Sequence, residues 1–214
     1  MIITIDGPAG AGKSTVAKRL AAQLGFDYLD TGAMYRAVAL CGLRKHVDWN
    51  EPDELVAIAE RMQIRVESGQ TFVDGENVSD VVRSAEVTDK TRFAANNPAI
   101  RAIMVRWQQA AVRHQNIVTE GRDQGTVVFP NAECKIYLTA TPKERTRRRM
   151  QEFEQRGEKA DFDEILRQIN RRDTEDMARE VGPLCEPPDA FHVVTDSMTI
   201  DEVVAKLAVI VENH

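Results

Sequence analysis

Residues 7–14 read Gly7-Pro8-Ala9-Gly10-Ala11-Gly12-Lys13-Ser14. They fit at every position the pattern of a glycine, four free positions, Gly-Lys and a hydroxyl residue. No other stretch restricts the fold so tightly, because the pattern works only where a buried strand enters the loop and a helix leaves it. The sequence provides both, an apolar run Ile2–Asp6 before the loop and a helix pattern from Ser14 to about Leu24 after it. The glycines let the backbone wrap so that successive N–H groups point at one anion, and the helix start adds its dipole. Gly7, Pro8, Ala9, Gly10, Ala11, Gly12, Lys13, Ser14 and Thr15 are therefore the candidate nucleotide-phosphate site. Lys13 is expected to reach the β- and γ-phosphates, and the Ser14 hydroxyl to ligate Mg2+. The loop names no reaction, since kinases, motors and GTP switches share it.

The frame around the loop alternates in the α/β manner. Helices are expected from about Gly32 to Lys45 and from Thr141-Pro142-Lys143-Glu144, a capping box with Pro at the first helical position. Short strands are expected at Ile117–Glu120, Cys134–Thr139 and His192–Thr195. Thr199-Ile200-Asp201-Glu202 repeats the capping box before a last helix. Residues 47–91 read differently, with four basic and eleven acidic side chains. There a helix pattern at Pro52–Met62 precedes β-like runs at Gln63–Glu67, Gln70–Val73 and Glu76–Val78, the last two joined by the turn pair Asp74-Gly75. This block is expected to be a separate helix-plus-antiparallel-sheet module set into a core of 1–46 and 92–214.

Four polar clusters lie outside the loop. Thr31 and Arg36 sit at the start of a helix, where the guanidinium can hold an acceptor phosphate, or Thr31 can cap the helix and Arg36 stand at the surface. Glu120, Arg122 and Asp123 end a strand, the usual position for ligands in parallel sheets. Glu120 can hold a magnesium-bound water and Arg122 a phosphate, or the turn can pair internally. Arg145, Arg147, Arg148 and Arg149 crowd one helix. Glu144, Arg148 and Glu152 can form a solvated ladder, leaving Arg145 and Arg149 as like charges four apart unless an anion bridges them. The interruption at Gly157 and Lys159 makes a helical hairpin, and about 150–162 is the expected lid. Arg172, Asp176 and Arg179 share one helix face, where Asp176 can accept from ribose hydroxyls or bridge its neighbours.

In this order and spacing the strings IDGPAGAGKST, YLDTGAMYRA, GRDQGTVVFP with CKIYL, ERTRRR and RDTEDMAR resemble those of the bacterial cytidylate kinases, over nearly the whole chain. The resemblance implies an α/β fold of the phosphate-loop nucleoside monophosphate kinase type. That fold is a parallel sheet wrapped by helices, with a lid and an inserted acceptor-binding domain at 47–91. It also implies transfer of the ATP γ-phosphoryl group to CMP or dCMP with Mg2+. Thr31, Arg101 and Asp123 would face the base, Asp176 the ribose, and Arg36, Arg122 and Arg179 phosphate, with Arg172 also around CMP. Arg145 and Arg149 would reach ATP from the lid. Lys13, Arg122, Arg145, Arg149 and Arg179 are the implied catalytic set. One position departs from the family, since Arg92, preceded by Thr91, falls where a Ser near the cytosine is common. A shift of one residue lets Thr91 take that place.

The remaining composition works by exclusion. A net charge of -6 and no basic stripe oppose nucleic acid as a partner. Cys41, Cys134 and Cys185 form no CxxC pair, which suits a reducing compartment. The first residues show no positive n-region and no run is long enough to span a membrane. A cytoplasmic monomer acting on small nucleotides is expected. No His lies in a motif, and His46, His114, His192 and His214 read as ordinary residues. The expected chemistry is in-line transfer without a covalent intermediate. A kinase for another small acceptor is the nearest rival, and a nucleotide switch is opposed by the absence of an NKxD motif.

Overall fold

The computed structural model describes residues 1–67, 69–112, 115–155 and 157–214. His114 and, within the expected lid, Arg156 fall outside the described residues. In chain order the elements are β1 (Ile2–Asp6), α1 (Lys13–Leu24), β2 (Asp27–Asp30), α2 (Thr31–Arg44), α3 (Pro52–Arg61), β3 (Ile64–Glu67), β4 (Gln70–Val73) and β5 (Glu76–Asn77). A 3-10 turn at Val81–Arg83 leads to α4 (Ala85–Ala95), α5 (Pro98–Ala111) and β6 (Ile117–Gly121). A single π turn at Gln124–Val128, β7 (Cys134–Thr139), α6 (Pro142–Gln155), α7 (Phe162–Met177), β8 (Phe191–Val194) and α8 (Ile200–Glu212) follow.

Two compact units divide the chain, Met1–Phe26 with Ile117–His214, and Asp27–Asn116. In the first, β6, β1, β7 and β8 run parallel in that order, with Asp6 opposite Gly121 and Ile5 opposite Ile136. A parallel sheet covered on both faces needs apolar side chains in succession rather than in alternation. Ile3, Ile5, Val118, Cys134, Ile136 and Leu138 accordingly lie wholly inside. Helix α1 lies against β6 and α8, and α6 packs on α7.

The two expected capping boxes fare differently. At α8 both halves form, with the Thr199 hydroxyl accepting from the Glu202 N–H and the Glu202 carboxylate accepting from the Thr199 N–H. At α6 only one half forms. The Thr141 hydroxyl accepts from the Glu144 N–H, but the Thr141 N–H donates to Asp196 and the Glu144 carboxylate turns to Arg147 and Arg148. Two guanidinium groups outcompete one backbone N–H for a carboxylate.

In the second unit α2 is buried along most of its length and packs on α3, α4 and α5. Gly42 permits this, because a Cβ there would stand 2.8 Å from Leu55 Cδ1 and 2.9 Å from Trp49 Cη2. The three antiparallel strands β3, β4 and β5 follow the expected order. Asp74 and Gly75 both take positive φ, 50 and 87, as a two-residue hairpin turn requires. The unit contains the acidic block at 47–91 and extends beyond it at both ends. It does so because α2 and α5 bury their apolar faces against the block's own elements and the helix that follows it. Helices α4 and α5, which the sequence reading did not mark out, carry their own caps, Ser84 and Asn97.

Candidate active site

The phosphate loop is held open by three left-handed or near-extended glycines, Gly7, Gly10 and Gly12, with φ of 147, 77 and 88. Gly7 has a second reason: a Cβ there would lie 2.0 Å from the Leu138 carbonyl oxygen at the end of β7. Among the described residues no side chain caps α1, whose N-cap is Gly12, which leaves the helix start open to an anion. Lys13 is 4% exposed and donates to the Pro8 carbonyl at 2.8 Å. Burial, and then the charge of Arg122, push its pKa down to about 7 against the opposing pull of Glu120 and Asp6. The Ser14 hydroxyl donates to Glu120 Oε1 at 2.8 Å. A hydroxyl and a carboxylate oxygen in contact fit Mg2+, which takes few protein oxygens and completes its shell with phosphate and water.

Beyond Glu120, the chain turns through Gly121, Arg122 and Asp123. Arg122 Nε lies 2.7 Å from Asp176 Oδ2, and Arg179 pairs with the other oxygen, Oδ1. Burial opposes the charge on both partners. The arginines nevertheless hold the Asp176 carboxyl below its usual range, and Asp176 holds Arg122 above its own. Arg172 adds to the same field. Arg172 and Asp176 lie on α7, whereas Arg179 falls just past the helix end at Met177 and folds back to Asp176, and the structure adds Arg122 from 54 residues away. Asp6, buried at the end of β1, accepts from the backbone N–H groups of Gln124 at 2.9 Å and Gly125 at 2.7 Å. The sequence reading gave Asp6 and Gln124 no role at the site. An acid closing an apolar strand was the available signal.

On α6 the arginines differ from the expected ladder. Arg145 is buried, pairs with Asp173 at 2.7 Å and donates to the carbonyls of Ala140 and Ala9. Its charge is therefore balanced by Asp173 and not left facing Arg149. Arg149 pairs with Glu152 at 2.8 Å. Arg148 keeps Glu144 and extends past it to the carbonyl oxygen of Thr195 at 2.6 Å and its hydroxyl at 3.1 Å. Arg148 thus ties α6 to the end of β8, a role that i, i+4 spacing does not disclose.

The second unit carries its own charged cluster. Asp30, not Thr31, caps α2, accepting from the Ala33 N–H at 2.9 Å. Its buried carboxylate also pairs with Arg83 at 2.7 Å and lies 3.9 Å from Arg36. Arg83, one of three arginines in the acidic block, had no signal in the sequence. Thr31 is buried as the first residue of α2. Arg101 is 2% exposed, donates to the Ala95 carbonyl at 3.2 Å and stands over the Tyr35 ring. Arg92 is exposed and covers Phe93, whereas the half-buried Thr91 donates its hydroxyl proton to the Val87 carbonyl at 2.8 Å.

Among the described residues no helix is long and apolar enough to cross a membrane. Comparison with known proteins gives a consistent result. Residues 3–213 match the family model for cytidylate kinase. A cytidylate kinase from Rhodopirellula baltica is 46% identical over 203 residues, covering 95% of this chain and 89% of its own. One from Listeria innocua is 46% identical over 213 residues, covering 98% and 95%. An uncharacterized protein from Eubacterium ventriosum, solved as a crystal structure, aligns over 100% of this chain and 99% of its own with a TM-score of 0.55. At 11% identity that likeness bears on the fold alone. A family match running from β1 to the end of α8, on a phosphate-loop fold with a carboxylate held between two arginines, leaves one conclusion: the chain belongs to the cytidylate kinase family.

Proposed function

We propose that this kinase transfers the γ-phosphoryl group of ATP in line to CMP or dCMP, giving ADP and CDP or dCDP. In the proposal residues 7–15 hold the donor phosphates through backbone N–H groups, and Lys13 carries positive charge to the β- and γ-oxygens. Ser14 and Glu120 would hold Mg2+, which when bound offsets phosphate charge. Arg122 and Arg179 supply positive charge on the acceptor phosphate, and Asp176 accepts from the ribose with Arg172 beside it. Asp123, Thr31 and Arg101 take the base and Arg36 the acceptor phosphate. Arg149 acts on ATP directly and Arg145 through the Ala9 carbonyl that it holds. The core at 1–46 and 92–214, the acceptor domain at 47–91 and a lid at about 150–162 keep those roles, and lid closure excludes water from the reaction. No side chain forms a bond to phosphorus, so catalysis is positioning and charge neutralisation. We read the protein as a cytoplasmic monomer whose partners are nucleotides, with neither nucleic acid nor membrane among them.

The observation that supports this reading most is the Arg122–Asp176–Arg179 cluster in the same compact unit as the phosphate loop. A buried carboxylate fixed between two guanidinium groups suits a ligand carrying hydroxyls and a phosphate together. A coupled assay of ADP release with CMP, dCMP, UMP and AMP tests it. CMP and dCMP should exceed the others by at least about 10-fold in kcat/KM. Preference for UMP or AMP would overturn the acceptor assignment.

A further inference from the structure

We infer that Asp6 is a positioning residue for the acceptor side of the reaction, although the chain places it directly before the loop that holds the donor. The inference rests on the assignment of Arg122 and Asp123 to CMP made above. Asp6 ends β1 and is wholly buried. Its backbone lies opposite Gly121 in the β1–β6 ladder, the residue before Arg122. Its two carboxylate oxygens each accept one backbone N–H, Oδ1 from Gln124 and Oδ2 from Gly125, the residues just after Asp123. Residues 121–125 are therefore fixed at one end by the sheet and at the other by this carboxylate. Arg122 and Asp123 lie between the two fixed points.

The chemistry explains why the residue is an aspartate. Only an ionised carboxylate offers two acceptors and no donor; an amide meets one of the two N–H groups with its own NH2. Burying it is costly, and burial pushes its pKa up to about 7 while the two N–H bonds pull the other way. The turn has little slack in which to drift. A Cβ on Gly125 would stand 2.9 Å from Thr4 Oγ1 and 3.0 Å from Pro187 Cγ. The donor loop, in contrast, takes its start from the contact of Gly7 with Leu138. Backbone position at the end of β1 thus serves the donor, and the Asp6 carboxylate, whose pull on Lys13 ranks behind that of Glu120, commits its two oxygens to the acceptor turn.

The test is Asp6→Asn, assayed for both substrates beside Asp123→Ala. Asp6→Asn should raise KM for CMP by at least about 10-fold while KM for ATP stays within about twofold. A general loosening of the fold would not separate the two substrates. An equal or larger rise for ATP, or no rise for CMP, overturns the inference. Asp123→Ala reports on the underlying assignment: if it leaves KM for CMP unchanged, that assignment and the inference both fall. If it raises KM and Asp6→Asn does not, only the inference falls. Should Asp6→Asn fail to fold, amide exchange in the unaltered protein decides. The Gln124 and Gly125 N–H groups should exchange as slowly as those of β1, and exchange at the rate of open loops overturns the clamp.

Discussion

At the scale of single residues, Lys13 and Asp176 show how burial and neighbouring charge set what a side chain can do. Lys13 is buried with its pKa lowered to about 7, so at pH 8 it is mostly neutral in the free protein. Triphosphate oxygens favour the charged form. Binding of a non-hydrolysable ATP analogue at pH 8 should therefore draw about one proton from solution, and far less at pH 6. Calorimetry in buffers of different ionisation enthalpy reads the uptake; none at pH 8 would contradict the burial of Lys13 as its main influence. Lys13→Ala should lose at least about 100-fold in turnover with the fold intact. Asp176 was legible as one member of a helix face, but its engagement of Arg122 was not, because side chains 54 residues apart meet only through the sheet. That contact makes Asp176→Ala a poor probe, since it removes the carboxylate with which both Arg122 and Arg179 pair. Asp176→Asn should raise KM for CMP and dCMP by about 10–100-fold with ATP little changed. Unaltered acceptor kinetics would return Asp176 to a purely structural role.

Elements raise the matter of which charges are exposed. On α6 the spacing reads as a solvated ladder of Glu144, Arg148 and Glu152, with Arg145 and Arg149 left as like charges four apart. The structure takes Arg145 inward to Asp173 and Ala9, because the helix face that carries it packs on α7 and against the phosphate loop. Arg145→Ala would leave Asp173 charged and without its ion-pair partner in a largely buried setting. A loss of about 3–5 kcal/mol in unfolding free energy is expected. Chemical denaturation measures it, and a loss below about 1 kcal/mol would place Arg145 with ordinary surface pairs. The hairpin at Asp74-Gly75 and the box at Thr199 were legible because each is decided by residues within four positions. The half-formed box at Thr141 was not, because Asp196 comes from elsewhere in the chain.

For the whole molecule, the two shifted groups beside the phosphate loop give the ligand-free protein a characteristic stability profile. Asp6 has its pKa raised from 3.8 to about 7, so its contribution is fully present below pH ~4 and is lost as pH rises through about 7. Lys13 has its pKa lowered from 10.5 to about 7, so its contribution is present above pH ~10 and is lost as pH falls through about 7. Together they should depress stability most near neutral pH. Lys13→Met should flatten the rise on the alkaline side, and a wild-type profile unaltered by that change would be evidence against the shift. Reading along the chain is enough for the phosphate loop, the strand and helix on either side of it, the hairpin of the acidic block and the candidate list at the site. Each of these depends on local backbone geometry or on residues close in the chain. Which carboxylate each arginine faces, and which backbone groups Asp6 holds, is settled by the folded packing. It also decided that the acidic block joins a larger unit with α2 and α5. Those choices are made by packing between distant segments, where burial sets the strength of every charge and no periodicity records the partner.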